Sequence, residues 1–287
     1  MSRSLSTLAA LSTLLLVSLQ VSAQSLVKAE DLYKHTDYET SLTLLNKASN
    51  DGPTNFLIGR DYFMLADFKK STDYLQKATA EVPKNSEFMD WLGRAYGKRA
   101  ETSNPLFAPA LASKARQAFE KSVELDQRNS DALSDLFDYY LGAPGFLGGG
   151  YNKAAAVAEK IAVVDPPEGY FERAKLAQNR REFQTAEQHL RRAIAITPQK
   201  VGGLLELAKL LAMEGRAHES DALLSQAQAI QPNDPAVWYA RADILIKQKR
   251  NTEEAKNLLQ KYMRAPVTVD DPPKGEAVRL LRQVGGA

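Results

Sequence analysis

The sequence contains no cysteine in its 287 residues, and this absence removes several kinds of chemistry at once. Disulfide bonds, catalysis by a thiol and metal sites built on thiolates are all excluded. Histidine is also scarce, since the chain has only His35, His189 and His218, and no two of them form a His-x-x-x-His pair. Because neither a cysteine nor a pair of closely spaced histidines is present, we expect neither a bound metal nor a cofactor.

No long run of charge of one sign is present either. The 37 basic and 35 acidic residues give a formal net charge of +2, and they are interspersed along the chain. Proteins that bind nucleic acid usually concentrate basic residues on one surface, so we do not expect a nucleic-acid partner. The sequence also lacks a nucleophile elbow, a Ser-His-Asp order and a phosphate-binding loop. We therefore expect that the protein is not an enzyme.

Long apolar segments are limited to one run at residues 8–19. It follows Arg3 and precedes a Val-Ser-Ala tripeptide suited to cleavage before Gln24, which predicts a signal peptide at 1–23. A membrane-spanning helix needs about 20 apolar residues, whereas this run is shorter and contains Ser and Thr. We expect an exported chain without stable membrane insertion after cleavage. The periplasm is the expected location, with secretion as the second choice.

What the sequence does contain is a period of 34 residues. The residues that repeat at this spacing are Ala174, Ala208 and Ala242; Leu190, Leu224 and Leu258; and Pro198 and Pro232. A fixed period of this length indicates a stacked array of small structural units. Within a unit, apolar residues recur at spacings of three and four, which predicts two amphipathic helices closed by the proline. No segment alternates apolar and polar residues as a strand would.

The offsets of these residues resemble those of the tetratricopeptide repeat family. The clearest unit carries Tyr170, Ala174, Ala177, Ala186, Leu190, Ala193 and Pro198. The resemblance implies an all-α fold, a TPR-like α-solenoid in which antiparallel helix pairs form a right-handed superhelix. The expected units are 25–52, 53–84, 85–130, 131–166, 167–200, 201–234 and 235–267, followed by a C-terminal capping helix and tail at 268–287. Residues 97–110 and 142–150 are interpreted as insertions between paired helices.

The resemblance also implies a concave groove lined by the first helix of each unit. The positions that should be exposed there hold aromatic, basic and acidic residues, and such a surface suits a protein or peptide. The expected groove residues are Phe56, Arg60, Phe63, Arg94, Asp135, Asp138, Phe171, Glu172, Lys175, Lys209, Tyr239 and Asp243. The simpler alternative is that these residues form solvated helix faces without a partner.

The glycine-rich segment at 142–150 is the least repeat-like part of the chain. Glycines before a helix can leave N–H groups directed at an anion, but the spacing of a P-loop is missing. We favour a structured turn in which Phe146 and Leu147 pack across the neighbouring unit. Two hydrophobic residues in a loop also make this segment a candidate for a specialised contact.

These features together predict a non-catalytic, exported scaffold that binds a protein or peptide partner in its groove. Two alternatives remain open. One is a periplasmic accessory component of a solute transporter that acts as an oligomer, and the other is an organiser of the cell envelope. A stable trimer favours the transporter component, a monomer favours the scaffold, and binding to peptidoglycan favours the envelope organiser.

Overall fold

The structure is a computed structural model that describes residues 24–268, 271–272 and 274–285. The predicted signal peptide at 1–23 lies outside the described residues. Within them, every regular element is a helix and no strand is present, which confirms the all-α prediction. Backbone contacts divide the chain into two compact units, one ending at Ala132 and the other beginning at Leu133. We call these the N-terminal unit and the C-terminal unit.

The helices of the N-terminal unit follow one another with short connections. They are α1 (24–34), α2 (Tyr38–Leu45), α3 (Gly52–Met64), α4 (Phe68–Glu81), α5 (Ser86–Thr102), α6 (Ala108–Leu125) and the start of α7 (Ser130–Gly142). The pairs α3 with α4 and α5 with α6 pack as helical hairpins, and α4 also packs against α5. Each hairpin therefore contacts the next one along the chain, as expected for a repeat array.

Side-chain caps fix where several of these helices begin. Asp51, Asp67 and Asn85 each accept a hydrogen bond from the backbone N–H three residues further on, at 2.9, 3.1 and 3.1 Å. Such a cap satisfies one of the N–H groups that the first helical turn leaves without a partner. The sequence thus sets the helix starts locally, before the hairpins pack.

Two glycines set the distance between paired helices. A Cβ on Gly59 would lie 2.6 Å from the Leu75 side chain, and one on Gly93 would lie 2.5 Å from the Phe119 ring. The second helix of each hairpin therefore packs directly on the backbone of the first. This close approach is why a small residue recurs at this position of the repeat.

Residues 97–110 differ from the insertion expected between α5 and α6. Helix α5 continues to Thr102 and α6 begins at Ala108, so the connection is only residues 103–107. The prolines at 105 and 109 suggested a longer loop. Pro109, however, lies in the first turn of α6, where a helix needs no N–H donor. The additional residues lengthen the two helices instead of the loop.

The C-terminal unit contains the rest of α7, a short 3₁₀ turn (Gly145–Leu147) and eight further helices. These helices are α8 (Tyr151–Val164), α9 (Pro166–Asn179), α10 (Phe183–Ile196), α11 (Val201–Met213), α12 (Ala217–Ile230), α13 (Pro235–Lys247), α14 (Thr252–Arg264) and α15 (Lys274–Gly285). The hairpins are α9 with α10, α11 with α12, and α13 with α14. The first helices α11 and α13 of consecutive hairpins also pack together.

The turns inside these hairpins follow the same 34-residue period. Arg181, Gly215 and Lys249 all adopt a left-handed backbone, with φ of 61°, 78° and 52°. The last turn has a second left-handed residue, Asn251, with φ of 48°. Consequently α14 starts 35 residues after α12, whereas α12 starts 34 residues after α10. The one-residue shift that the sequence indicates in this hairpin is thus located in its turn.

The C-terminal helix α15 covers the apolar side of the last hairpin. Its residues Ala277 and Leu280 are buried in one cluster with Leu259 and Tyr262 of α14. The Tyr262 hydroxyl also donates a hydrogen bond to the Pro272 carbonyl, in the segment that leads to α15. The last hairpin thus does not expose its core to water, a requirement at the end of any repeat array.

Candidate functional site

A cleft of about 440 Å³ lies in the C-terminal unit, next to the first helices α9 and α11 of two consecutive hairpins. Phe171, Lys175 and Gln178 line it from α9, and Gly203 and Glu206 line it from α11. The other lining residues come from α9 and its N-cap, from α10 and the turn after it, and from the start of α11: Asp165, Pro167, Glu168, Ala174, Leu190, Thr197, Lys200 and Gly202. The cleft combines one aromatic ring with charged groups.

Gly203 explains how Phe171 is held at the cleft. A Cβ at position 203 would lie 2.9 Å from the Ile194 side chain and 3.2 Å from the Phe171 ring. The ring therefore packs against the backbone of α11 instead of projecting into solvent, and it remains half-buried. An aromatic side chain that is fixed by packing yet reachable from solvent is suited to bind another apolar group.

An ion cluster anchors Lys175 beside this ring. Its Nζ lies 3.2 Å from Asp138 Oδ1 and 3.2 Å from Glu172 Oε2. Burial lowers the pKa of Lys175, but the neighbouring carboxylates of Glu172 and Asp138 raise it by more, so the net change is upward. Lys175 is therefore charged, and its charge is balanced by carboxylates of its own chain.

Glu172 is buried and not exposed as the groove interpretation requires. Its side chain has no solvent exposure. Burial raises its pKa to about 7, because the charged form loses hydration that the nearby Lys175 only partly replaces. Glu168, which lines the cleft, also has a raised pKa because of burial. Burial therefore makes both Glu172 and Glu168 easier to protonate than an exposed glutamate.

In the N-terminal unit the structure places Phe56 and Arg60 in the interior, which corrects their expected exposure. Phe56 is 4% exposed and stacks on Phe88 of the next hairpin, with ring centroids 4.2 Å apart. The Arg60 guanidinium lies 3.9 Å from the centre of the Tyr33 ring and donates to both carboxylate oxygens of Glu30, at 3.0 and 3.2 Å. Arg60 therefore joins α3 to α1 through the carboxylate of Glu30 and the ring of Tyr33.

Phe63 and Arg94 both contact Trp91. The Phe63 and Trp91 ring centroids are 5.4 Å apart in an edge-on arrangement, and the Arg94 guanidinium lies 4.8 Å from the Trp91 ring centre. Arg94 also pairs with Asp90 at 3.0 Å. The groove predicted from the sequence does not include Trp91, although a Trp one residue before the repeat position Leu92 is a detectable signal. All three residues are half-buried.

The other expected groove residues are not brought into the cleft. Lys209 pairs with Glu206 on α11 at 2.7 Å, and Asp243 pairs with Lys247 on α13 at 2.6 Å. Tyr239 is half-buried against Tyr262, with ring centroids 5.3 Å apart. Asp135 is half-buried on α7.

The segment at 142–150 is a structured turn, but Phe146 does not pack across a neighbouring unit. Phe146 is 83% exposed, whereas Leu147 is half-buried. The turn is held by the Tyr139 hydroxyl, which donates to the Leu147 carbonyl at 2.9 Å, and by Lys153, which donates to the Gly148 carbonyl at 2.8 Å. The backbone of the turn is thus ordered by its own flanking helices.

Neither a metal centre nor a membrane span is found in the part of the chain that the structure describes. Across these residues no three His, Asp or Glu side chains are grouped so that they could hold a metal ion. None of the helices formed by them is both long and apolar enough to cross a bilayer.

Comparison with known proteins agrees with the array of helical hairpins described above. Residues 177–244, which span parts of α9 and α13 and all of α10 to α12, match the family model of the tetratricopeptide repeat. A solved tetratricopeptide repeat protein from Parabacteroides merdae ATCC 43184 is similar in structure, with a TM-score of 0.62 at 15% identity, over 93% of this chain and 100% of the other. The protein TTC0263 of Thermus thermophilus, also a TPR protein, gives a TM-score of 0.56 at 17% identity, over 66% of this chain and 98% of the other. No curated protein sequence matches the chain.

The repeat match and the helical hairpins lead to the same assignment. Residues 177–244 are tetratricopeptide repeat sequence, and the helices of the described chain have the fold of solved tetratricopeptide repeat proteins. At identities of 15% and 17%, the two solved structures support its fold alone.

Proposed function

We propose that the protein is a non-catalytic scaffold that binds a protein or peptide partner at the cleft between α9 and α11. The observation that carries this proposal is a half-buried aromatic ring, Phe171, surrounded by charged side chains within a cleft of about 440 Å³. An apolar side chain of the partner would pack on the ring. Charged groups at the rim would then select its neighbours along the partner chain.

The charges at the cleft favour a partner segment that carries basic residues. Asp165, Glu168 and Glu206 line the cleft, against two lysines, Lys175 and Lys200. Lys175 is already paired with Asp138 and Glu172, and Glu206 is paired with Lys209, which leaves the carboxylates of Asp165 and Glu168 against Lys200. A lysine or arginine of the partner would therefore find carboxylates to pair with, and an acidic segment would be repelled.

Peptide selection on the full chain tests this proposal. A displayed random peptide library should yield binders that combine an apolar residue with Lys or Arg. The Glu168→Gln/Glu206→Gln double variant should bind these peptides about tenfold more weakly, since each ion pair at an exposed site contributes up to about 1 kcal/mol and a tenfold change corresponds to about 1.4 kcal/mol. Affinity is measured by fluorescence polarisation.

A matched control removes a carboxylate away from the cleft. Glu253→Gln on α14 replaces an exposed acid of the same unit and should leave peptide affinity unchanged. Selected peptides without basic residues, or equal binding by the double variant, would contradict the proposed site. Sedimentation of the full chain separates the scaffold from the transporter alternative, since a stable trimer favours the latter.

We also propose that the protein acts outside the cytoplasm, in the periplasm. The support is the basic start, apolar run and small-residue tripeptide of residues 1–23. Intact mass of the protein isolated from its native cells should give a chain that begins at Gln24. A chain that retains Met1 and fractionates with cytoplasmic proteins would overturn the proposal.

A further inference from the structure

The α5–α6 hairpin of the N-terminal unit is longer than the hairpin before it, by the same amount on both arms. Helix α5 ends nine residues after Gly93, whereas α3 ends five residues after Gly59. Helix α6 begins seven residues before Ala115, whereas α4 begins three residues before Ser71, at the same position of the repeat. Four additional residues on each arm correspond to about 6 Å of helix.

The end of this extension is apolar and exposed. Leu106 is 79% exposed and Phe107 is 63% exposed, side by side in the sequence. They lie within a stretch of twelve residues, 102–113, that contains no charged side chain. We call residues 103–107 the hairpin tip. Two large adjacent hydrophobic side chains at a convex tip are unusual for a surface that meets only water.

The backbone N–H groups of residues 105–109, at the hairpin tip, have hydrogen-bond partners within the protein and do not need water as an acceptor. The Leu106 N–H donates to Asn104 Oδ1 at 3.0 Å. The N–H groups of Phe107 and Ala108 donate to the Asn104 carbonyl at 2.9 and 3.2 Å. Pro105 and Pro109 have no N–H, so residues 105–109 present no free backbone donor. Entry into an apolar phase is costly when such donors lack a partner, and here that cost is absent.

Beside the tip lies a basic cleft. It has a volume of about 540 Å³ and is lined by the α3–α4 turn and the end of α5: Leu65, Ala66, Asp67, Phe68, Lys69, Arg99, Thr102 and Ser103. Asp67 pairs with Lys70 at 2.9 Å. Among the described residues neither Lys69 nor Arg99 has an ion-pair partner. Two free cations therefore stand next to an apolar tip.

We propose that the α5–α6 hairpin docks on an anionic phospholipid surface, with Leu106 and Phe107 among the acyl chains and Lys69 and Arg99 at the headgroup phosphates. An apolar group inserted to about 5–10 Å with cations behind it is the arrangement by which proteins bind to one face of a bilayer. The extension of about 6 Å matches this depth. The binding is peripheral and does not require a membrane-spanning helix.

A probe at the tip tests this proposal directly. Because the sequence has no cysteine, Phe107→Cys gives the full chain a single site for an environment-sensitive fluorophore. We expect a blue shift and an increase in emission on vesicles of phosphatidylethanolamine and phosphatidylglycerol. The same fluorophore at Phe146→Cys, another exposed aromatic position, should not respond. Since the readout is local, attachment through another part of the chain does not imitate it.

Charge reversal separates headgroup binding from general adhesion. Lys69→Glu/Arg99→Glu should reduce partitioning to the anionic vesicles by about 25-fold or more, since each of the two basic residues near such a surface contributes about fivefold. Vesicles of phosphatidylcholine alone should give a weak response. Circular dichroism confirms that the variants keep their helical content.

Two outcomes would overturn the proposal. A probe at position 107 that stays in an aqueous environment on anionic vesicles excludes insertion. A probe that responds only to added protein, or to a rising concentration of the chain itself, assigns the tip to a protein contact instead.

Discussion

The burial of Glu172 predicts that the stability of the protein depends on pH, and this prediction can be tested by a single substitution. Its pKa rises from an ordinary 4.5 to about 7, chiefly through burial. A carboxyl group whose pKa is higher in the folded state binds more protons than in the unfolded state between these two values. The contribution of Glu172 to the stability of the folded state is therefore most favourable below about pH 4.5, and it is lost as the pH rises through about 7.

The perturbation is Glu172→Gln, which keeps the shape and removes the charge. Because a tenfold change in proton affinity corresponds to about 1.4 kcal/mol, ionised Glu172 destabilises the fold at pH 8 by up to about 3 kcal/mol. The variant should be more stable than the wild type by about 2–3 kcal/mol at pH 8, which is roughly 5 °C or more in melting temperature. At pH 5 the wild-type carboxyl is protonated in the folded state but still partly ionised in the unfolded state, so the difference should fall to about 1 kcal/mol or less.

Thermal unfolding followed by circular dichroism at pH 5 and pH 8, at equal ionic strength, measures this difference. Glu206→Gln is the matched control, because that side chain is 50% exposed and pairs with Lys209 at the surface. Its effect should be small at both pH values. An equal gain for Glu172→Gln at pH 5 and pH 8 would mean that the variant acts through packing and would refute the reasoning.

Three further predictions concern the N-terminal unit. Asp61→Asn should also raise the melting temperature, by clearly more at pH 8 than at pH 5, because burial raises the pKa of Asp61 to about 7; a loss of stability at pH 8 would contradict this. Gly93→Ala should cost about 1–3 kcal/mol in urea unfolding, because the new Cβ would overlap the Phe119 ring. Arg60→Met should cost about 2 kcal/mol in the same assay, through its lost bonds to Glu30 and its lost contact with Tyr33. Arg99→Met is the control for Arg60 and should be nearly neutral.

The helices and their pairing could be predicted from sequence because their causes are local and periodic. Gly59 and Gly93 recur where the second helix must approach closely, and the backbone requires a small residue there. Apolar residues at spacings of three and four define the buried face of each helix. These signals lie within one repeat, so the sequence of each unit is enough to predict its two helices and their pairing.

The environment of individual groove residues could not be predicted in the same way. Phe56 is buried because Phe88, in the next hairpin, stacks on it, and Arg60 is buried because Glu30 and Tyr33 of α1 enclose it. These contacts depend on neighbouring repeats whose sequences differ from the consensus pattern. A position that faces a groove in a regular array is therefore covered where the adjacent hairpin contributes a large side chain.

The additional residues of the α5–α6 hairpin were visible in the sequence, but their form was not. Two prolines suggested a loop, while the structure continues both helices and closes them with residues 103–107. Pro109 fits the first turn of α6, and Asn104 supplies the acceptors that close the tip. Whether a proline interrupts a helix or starts one depends on the turn that precedes it.

The matched lengthening of α5 and α6 has a consequence for how such a protein changes over time. Because the extra turns sit at the free end of one hairpin, their gain or removal leaves every core position of the array in register. Selection can therefore act on the additional residues of the α5–α6 hairpin separately from the repeat array. A new attachment could be acquired at one hairpin while the neighbouring repeats keep their own packing.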